Sequence, residues 1–238
     1  MKKLTFKLII LLMLAGFEAA AQGGFYLEPR LGAGTFSMGT MKKWQESVTS
    51  GNFSNAKATD RFPPYFNFGV GVAKDLDEST RLGVFVEHGS TGGRVTYRDY
   101  SGEFTIDDLL RYNALGFSFY SHKPVKEESE LEFLAGIELS SLWTTLVHKE
   151  YFRLYDESDE SEDEFNAIGL GLKPFVGLSY PLGNFPVSLS LGYLANASGP
   201  FHVPGKPDYK LSLDGREDKA IRPGWSGLRV NLSLAFML

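Results

Sequence analysis

Apolar and polar residues alternate with a period of two in eight separate stretches, each close to the ten residues that a tilted membrane strand needs. In FYLEPRLGAGT, Phe25, Leu27, Leu31 and Ala33 alternate with Tyr26, Glu28, Arg30, Gly32 and Gly34. FNFGVGVA sets Phe66, Phe68, Val70 and Val72 against Asn67, Gly69 and Gly71, and RLGVFVEHG sets Leu82, Val84 and Val86 against Gly83, Phe85 and Glu87. RYNALGFSFY, ELEFLAGIELS, AIGLGLKPFVGLSY and VSLSLGYLA repeat the pattern, and GLRVNLSLAFML carries it to the last residue. A strand with one greasy and one polar parity must bury or solvate the two faces differently.

The connections alternate too. Long polar stretches over 37–63, 89–108, 148–164 and 197–223 follow the odd-numbered strands, and the short runs KDLDEST, SHKPVKEESE and PLGNFP follow the even ones. An even strand number, long-short alternation and both ends on the short side predict an all-β fold. Its form is a transmembrane up-and-down antiparallel barrel of eight strands, with short periplasmic turns and long extracellular loops. Closing such a ring pairs the last strand with the first, so no backbone N–H or C=O faces lipid unpaired. In the fourth strand the lipid-facing parity also contains Arg111 and Asn113. Either the span begins near Leu115 or a bulge resets the phase, and the first is expected because such strands project past the bilayer.

Parity sends Glu28, Arg30, Glu87, Glu138, Lys173 and Arg229 inward, three acids and three bases. A basic side chain on the lipid face near the midplane would cost about 2–4 kcal/mol, and isolated charges inside are costly unless paired. A cross-lumen ion-pair network is therefore expected. With eight strands the interior is filled by side chains or one small ligand. Phe25, Phe119, Phe133, Tyr180 and Phe236 at the inner strand ends and Trp143 at an outer end predict an aromatic girdle.

Composition adds the compartment. Lys2, Lys3 and Lys7 precede the apolar run LIILLMLAG, and Ala19-Ala20-Ala21 offers a cleavage site. Residues 1–21 are expected to be a secretory signal peptide and residues 22–238 the outer-membrane barrel domain. Losing three Lys and one Glu with that peptide moves the net charge from −5 to −7, which argues against a nucleic-acid partner. The chain has no cysteine, so neither disulfides nor lipoprotein processing applies.

A signal peptide, eight strands and a terminal alternating strand resemble the small OmpA/OmpX-like outer-membrane barrels, and GFYLEPRLGAG resembles the "outer membrane protein beta-barrel" (porin-family) proteins of Bacteroidota. The resemblance implies integral residence in the Gram-negative outer membrane with both termini periplasmic. It implies contact with outer-membrane lipid and lipopolysaccharide, and recognition of the last strand by the barrel-assembly machinery. Similar barrels include accessory parts of secretion machinery, which brings in an envelope protein partner.

Candidate chemistry is sparse. In VFVEHGSTGG, His88 and Ser90 share the outward parity near a strand end, and their spacing is similar to that of PagL-type lipid A deacylases. That resemblance implies a Ser nucleophile and His base, with Glu103 as the candidate acid. The run DESDESEDE (156–164) lacks the glycine of an EF-hand loop and is expected to be a solvated, mobile loop. His122, His148 and His202 show no metal spacing, and neither a metal nor a cofactor is expected. The leading expectation is a non-enzymatic barrel with a structural, adhesion or partner-binding role, including secretion-accessory work. A PagL-type esterase and a narrow small-solute channel are the alternatives.

Overall fold

The computed structural model of the chain describes residues 24–50, 56–100, 102–183, 185–213 and 219–238; the secretory segment expected at residues 1–21 lies outside them. In chain order the elements are β1 (Phe25–Gly34), α1 (Gly39–Ser50), β2 (Lys57–Arg61), β3 (Tyr65–Asp77), β4 (Thr80–Arg98), β5 (Gly102–Pro124), β6 (Glu132–Leu154), β7 (Glu157–Leu182), β8 (Phe185–Ser198), β9 (His202–Val203), β10 (Lys206–Lys210), β11 (Gly227–Leu234) and β12 (Phe236–Met237).

Strands β1, β3, β4, β5, β6, β7, β8 and β11 form one antiparallel ring of eight. The β7–β8 pairing closes it on one side, and β11 pairs β1 on the other, with Arg30 opposite Ser233 and Leu31 opposite Leu232. β12 continues in the same register, with Leu27 opposite Phe236, and the Leu238 amide donates to the Phe25 carbonyl at 2.9 Å. The alternating C-terminus is thus paired to its last residue. Around the wall, side chains such as Phe68, Val84, Leu115, Phe117, Leu139, Ile168, Leu170, Leu191 and Val230 stand exposed on the outside. So continuous an apolar belt fits only a lipid surround, because soluble monomers rarely expose patches beyond a few hundred Å².

β5 answers the question of phase. Burial alternates without interruption from Ile106 to Tyr120, and no register shift breaks its pairing with β4 or β6. Arg111 and Asn113 do face outward, above the belt, and the strand simply continues past the membrane. β4, β5, β6 and β7 all behave this way. Their two hairpins turn after Arg98 and after Leu154. The stretches 89–108 and 148–164, expected as loops, are therefore mostly strand. β6 runs eleven residues past Trp143 to Leu154, roughly 35 Å of strand at ~3.3 Å per residue. Cross-strand pairs hold this extension: Arg94 to Asp107 at 2.5 Å and Lys149 to Glu162 at 2.6 Å. The acidic run is accordingly not a mobile loop; it is the first third of β7, laddered onto β6 from Leu154↔Glu157 downward.

The two remaining long connections turn inward. α1 carries Met41, Trp44 and Val48 at helical spacing and lays that face over the barrel mouth. Met38 at its entrance and Phe62 after β2 are fully buried with positive φ, 44° and 52°. From the other connection come Phe201, Ile221 and Trp225, also fully buried. They meet Leu110, Tyr112, Leu142, Leu146 and Leu194 from the wall in one apolar cluster that fills the outer half of the lumen. The two connections are stitched together: the Met38 amide donates to the Gly224 carbonyl at 3.0 Å, and the Ser37 amide to the Ser226 carbonyl at 2.9 Å. Thr40 Oγ1 accepts from the Arg222 amide and donates to its carbonyl. Gly224 is required here, since a Cβ would sit 2.7 Å from the Met38 nitrogen.

Trp225 is the centrepiece, with Phe36 edge-on at 5.2 Å, Tyr112 at 4.6 Å and its Nε1 donating to Thr144 Oγ1 at 2.8 Å. Replacing Trp225 with Ala is expected to cost about 3–5 kcal/mol, read as a lower midpoint in denaturant-induced loss of the folded, heat-modifiable gel band. An unchanged midpoint would show that this cap does not stabilise the barrel.

Candidate functional site

The inner half of the lumen is ionic. Glu28 and Arg30 alternate with Pro29 on β1, so both side chains point inside. Arg30 donates to Glu138 at 2.7 Å and to Glu28 at 3.3 Å. Glu138 and Lys173 are direct cross-strand partners on β6 and β7, and Lys173 Nζ lies 2.6 Å from Glu138 Oε2. Each Glu138 oxygen thus faces its own cation. Glu28 also accepts from Tyr120 at 2.6 Å and Arg81 at 3.4 Å, and Arg81 extends the chain of pairs to Asp75 at the turn end. Asn67 and Asn231 face one another at 3.2 Å, and turning the Asn231 amide places its oxygen 3.0 Å from Lys173 Nζ.

Of the six inward charges, Glu28, Arg30, Glu138 and Lys173 are linked, while the other two take different partners. Glu87 accepts from the Tyr112 hydroxyl, 2.5 Å away. Arg229, 2 % exposed, donates to the carbonyls of Thr35 and Trp225 at 2.6 Å each and of Leu228 at 3.1 Å, with its guanidinium 4.8 Å from the Phe36 ring. It is a fastener between the wall and the cap, placed where the ionic half meets the apolar half. Gly34 makes the room, since a Cβ there would lie 2.7 Å from the Arg229 side chain. Parity could not reveal this role, because backbone carbonyls carry no residue signature. Arg81, Asp75 and Tyr120 join the network from the strand ends, where an inward charge or hydroxyl looks like an ordinary turn residue. For Arg81 and Tyr120 the alternation within RLGVFVEHG and RYNALGFSFY is the signal that places them inside.

A cavity of about 70 Å³ opens at the turn end of the lumen, between the charged wall of Glu28, Arg30 and Arg81 and a hydroxyl wall of Ser179, Ser188, Ser190 and Ser233. It stops at the Glu138 layer, below the apolar cluster. Among the described residues no group of three or more His, Cys, Asp or Glu side chains could hold a metal ion.

On the outer wall, His88 and Ser90 lie two residues apart on β4, both partly exposed. His88 Nδ1 is 3.0 Å from Asn113 Oδ1 and its ring is 5.2 Å from Phe68. Glu103 is not brought to them. It pairs with Arg98, eight residues or roughly 26 Å further along β4, and binds Arg153 at 3.3 Å. The girdle residues fall at two heights. Phe119 lies across from Leu82, Phe133 from Leu178 and Tyr180 from Val187, while Phe236 pairs with Leu27 and touches Phe185 at 4.7 Å. Phe25 is opposite Lys74, also at the turn end, whereas Trp143 is opposite Asn113, high on the wall.

Above the belt, β5 and β6 carry a second polar centre. His148 is buried on the inner face of the projecting sheet, 2.7 Å from Asp108 and 3.0 Å from Glu150, with the Trp44 ring of α1 stacked on it at 4.7 Å. Burial alone would lower its pKa, but the two carboxylates outweigh it and hold it above the usual 6.5. Asp108 is itself pushed up, by burial first, with His148 opposing. Beyond His148 the inner face emerges from under α1: Glu150, Phe152 and Leu154 are all exposed.

No family model matches the chain, and no curated protein matches it. Among solved structures it is similar to Neisserial surface protein A, at 14% identity and TM-score 0.40, with 90% of this chain and 97% of that one covered. It is similar to Ail, the attachment invasion locus protein of Yersinia pestis, in complex with a heparin analogue, at 12% identity and TM-score 0.33, over 90% and 99% of the two chains. LpxR from Salmonella typhimurium aligns at 7% identity and TM-score 0.26, over 89% and 100%.

Two outcomes follow from these geometries. Glu138→Leu leaves Arg30 and Lys173 buried without their shared anion, and is expected to cost about 3–5 kcal/mol; adding Lys173→Met should restore part of it. Equal stability of all three proteins in a denaturant titration would show the network to be energetically idle. For His148, a raised folded pKa means its contribution is complete below about pH 6.5 and fades as pH rises through the folded value. Amide-exchange protection in α1, corrected for intrinsic rates, should therefore fall across that alkaline window. It should not do so in His148→Gln, and identical profiles would remove the imidazolium from the cap's stability.

Proposed function

We propose that this chain is an integral outer-membrane barrel whose work is non-catalytic: it displays a rigid sheet outside the cell for adhesion or for binding an envelope partner. Export through residues 1–21, insertion by the barrel-assembly machinery through the terminal strand, and periplasmic termini belong to the same reading. The observation that carries it is the four-stranded extension of β4–β7 past the apolar belt, a continuous ladder ending in two hairpins. A wall that only had to close in lipid would stop at the interface, because further strand costs ~1–2 kcal/mol of backbone entropy per residue and buries no lipid-facing surface.

The cap supports the reading as well. It fills the outer half of the lumen with Trp225, Phe201, Met38 and Met41, so a solute path is not what the barrel maintains. Nor do His88 and Ser90 gain an acid from Glu103. Surface roles such as secretion accessory or adhesin remain the functional class proposed, with lipopolysaccharide as the surrounding contact.

Crosslinking in the native outer membrane, followed by purification through a tag after Gln22, tests it. Comparison is with a variant whose two hairpins are cut back to short Asn-Gly turns at the level of Leu110 and Leu146. A stoichiometric partner captured by the full chain and lost in the shortened one is the expected result. A barrel recovered alone, together with lipid A that gains an acyl chain in Ser90→Ala, would replace this reading with the esterase.

A further inference from the structure

The projecting sheet has two unlike faces. On its convex side the charges neutralise one another in cross-strand rows: Arg94 with Asp107, Lys149 with Glu162, and Arg153 with Glu103. The concave side is different. Near the barrel mouth it is covered by α1 and β2, which pack Val48 and Ala58 against Val95 and Ile106. Cover ends at His148 on β6. Past that point Phe152 and Leu154 stand 43% and 44% exposed on a face that points toward the cap, not toward lipid.

The neighbouring strand lines this apolar step with acid. Register and parity place Glu157, Asp159 and Asp163 of β7 on the same concave face, opposite Leu154, Phe152 and His148. Among the described residues, none of these three carboxylates has a Lys or Arg within ion-pair range, and Glu150 has only His148. On the convex side of the same acidic run, Glu162 does have a cation in Lys149. β7 is also the sheet's edge there: its other neighbours reach it only from Asn166 and Gly169 downward, through His202 and Ser198.

Resting on the proposed surface role, we propose that this shelf, made of Glu150, Phe152 and Leu154 of β6 with Glu157, Asp159 and Asp163 of β7, docks a cationic amphipathic polypeptide segment. The apolar pair takes the partner's greasy side chains, and Glu157, Asp159 and Asp163, which have no Lys or Arg partner among the described residues, take its Lys or Arg. Charge complementarity selects this occupant. An anionic polymer or a second copy of the same acidic shelf would meet like charge, at the cost that juxtaposed like charges impose. An uncharged apolar partner would leave the carboxylates desolvated and unpaired. Dispersed edge charge of this kind otherwise serves to keep sheets from pairing with one another. Here it lies against an exposed aromatic step, which protection alone would not require.

The test uses the full barrel in lipid nanodiscs and a fluorescent twelve-residue peptide of alternating Lys and Leu, with oligolysine and an alternating Glu-Leu peptide as controls, read by anisotropy. Saturable binding of the Lys-Leu peptide is expected, weakening at least tenfold in Phe152→Ser/Leu154→Ser and at least tenfold in Glu157→Gln/Asp159→Asn/Asp163→Asn. Oligolysine should bind at least tenfold more weakly, and Glu-Leu not at all. Both variants alter exposed positions, and heat-modifiable folding checks that the barrel is intact. Equal affinity for wild type and the Phe152/Leu154 variant would overturn the shelf, leaving only diffuse attraction to acid; so would binding of the Glu-Leu peptide. Failure of the broader surface role reads out separately: partner capture that survives hairpin shortening defeats that role, whereas capture lost on shortening with no peptide binding defeats only the cationic shelf.

Discussion

The closure of the ring governs everything else. A hydrogen-bonding backbone cannot lie unpaired in hydrocarbon, so β11 and β12 must meet β1 along their whole length, and the chain ends with Leu238 still bonded to Phe25. Eight strands closed in this way leave an interior too narrow for bulk water and too wide to be empty. The wall's geometry therefore sets a packing problem. The chain solves it twice, with two different chemistries stacked along one axis.

In the inner half the solution is local to the strands. Inward charges are answered by side chains of other strands, as when Glu138 receives Lys173 of the adjacent β7 on one oxygen and Arg30 of β1, across the lumen, on the other. Such a cluster stabilises little relative to an apolar filling, but it penalises any register in which a partner is missing. In the outer half the filling is brought from elsewhere in the chain. Met38, Met41, Phe201, Ile221 and Trp225 come from connections at opposite ends of the sequence and meet Tyr112, Leu142 and Leu146. Arg229 joins the halves by donating to carbonyls of both the wall and the cap.

Strand parity made the barrel legible, because a period of two is imposed by covalent geometry and survives any sequence drift. The inward set Glu28, Arg30, Glu138 and Lys173 was legible for the same reason. The cap was not. Its residues lie in stretches that look polar by average, and their apolar members become meaningful only when the wall is seen to be apolar inside above Ala114. A clue was present: Leu110 and Tyr112 continue the inward parity of β5, and an apolar interior requires an apolar filler. Met41, Trp44 and Val48 at helical spacing supplied the other half. The acidic run departs from its expectation because charge density suggests a solvated loop, whereas pairing with Lys149 and the ladder of β6 makes it a strand.

The stitching of the cap has a mechanical meaning. The seam between β1 and β11 joins residues some two hundred positions apart, and it is the one seam of the ring whose two strands do not follow each other along the chain. Directly above it, Thr35, Ser37, Met38 and Thr40 are bonded to Leu228, Ser226, Gly224 and Arg222. These bonds lie on the continuations of the same two strands, like a clasp above a zip. A barrel that parts sideways at this seam must first unseat the clasp and pull Trp225 out of its aromatic socket. The cap is therefore less a stopper for the lumen than a lock on the wall.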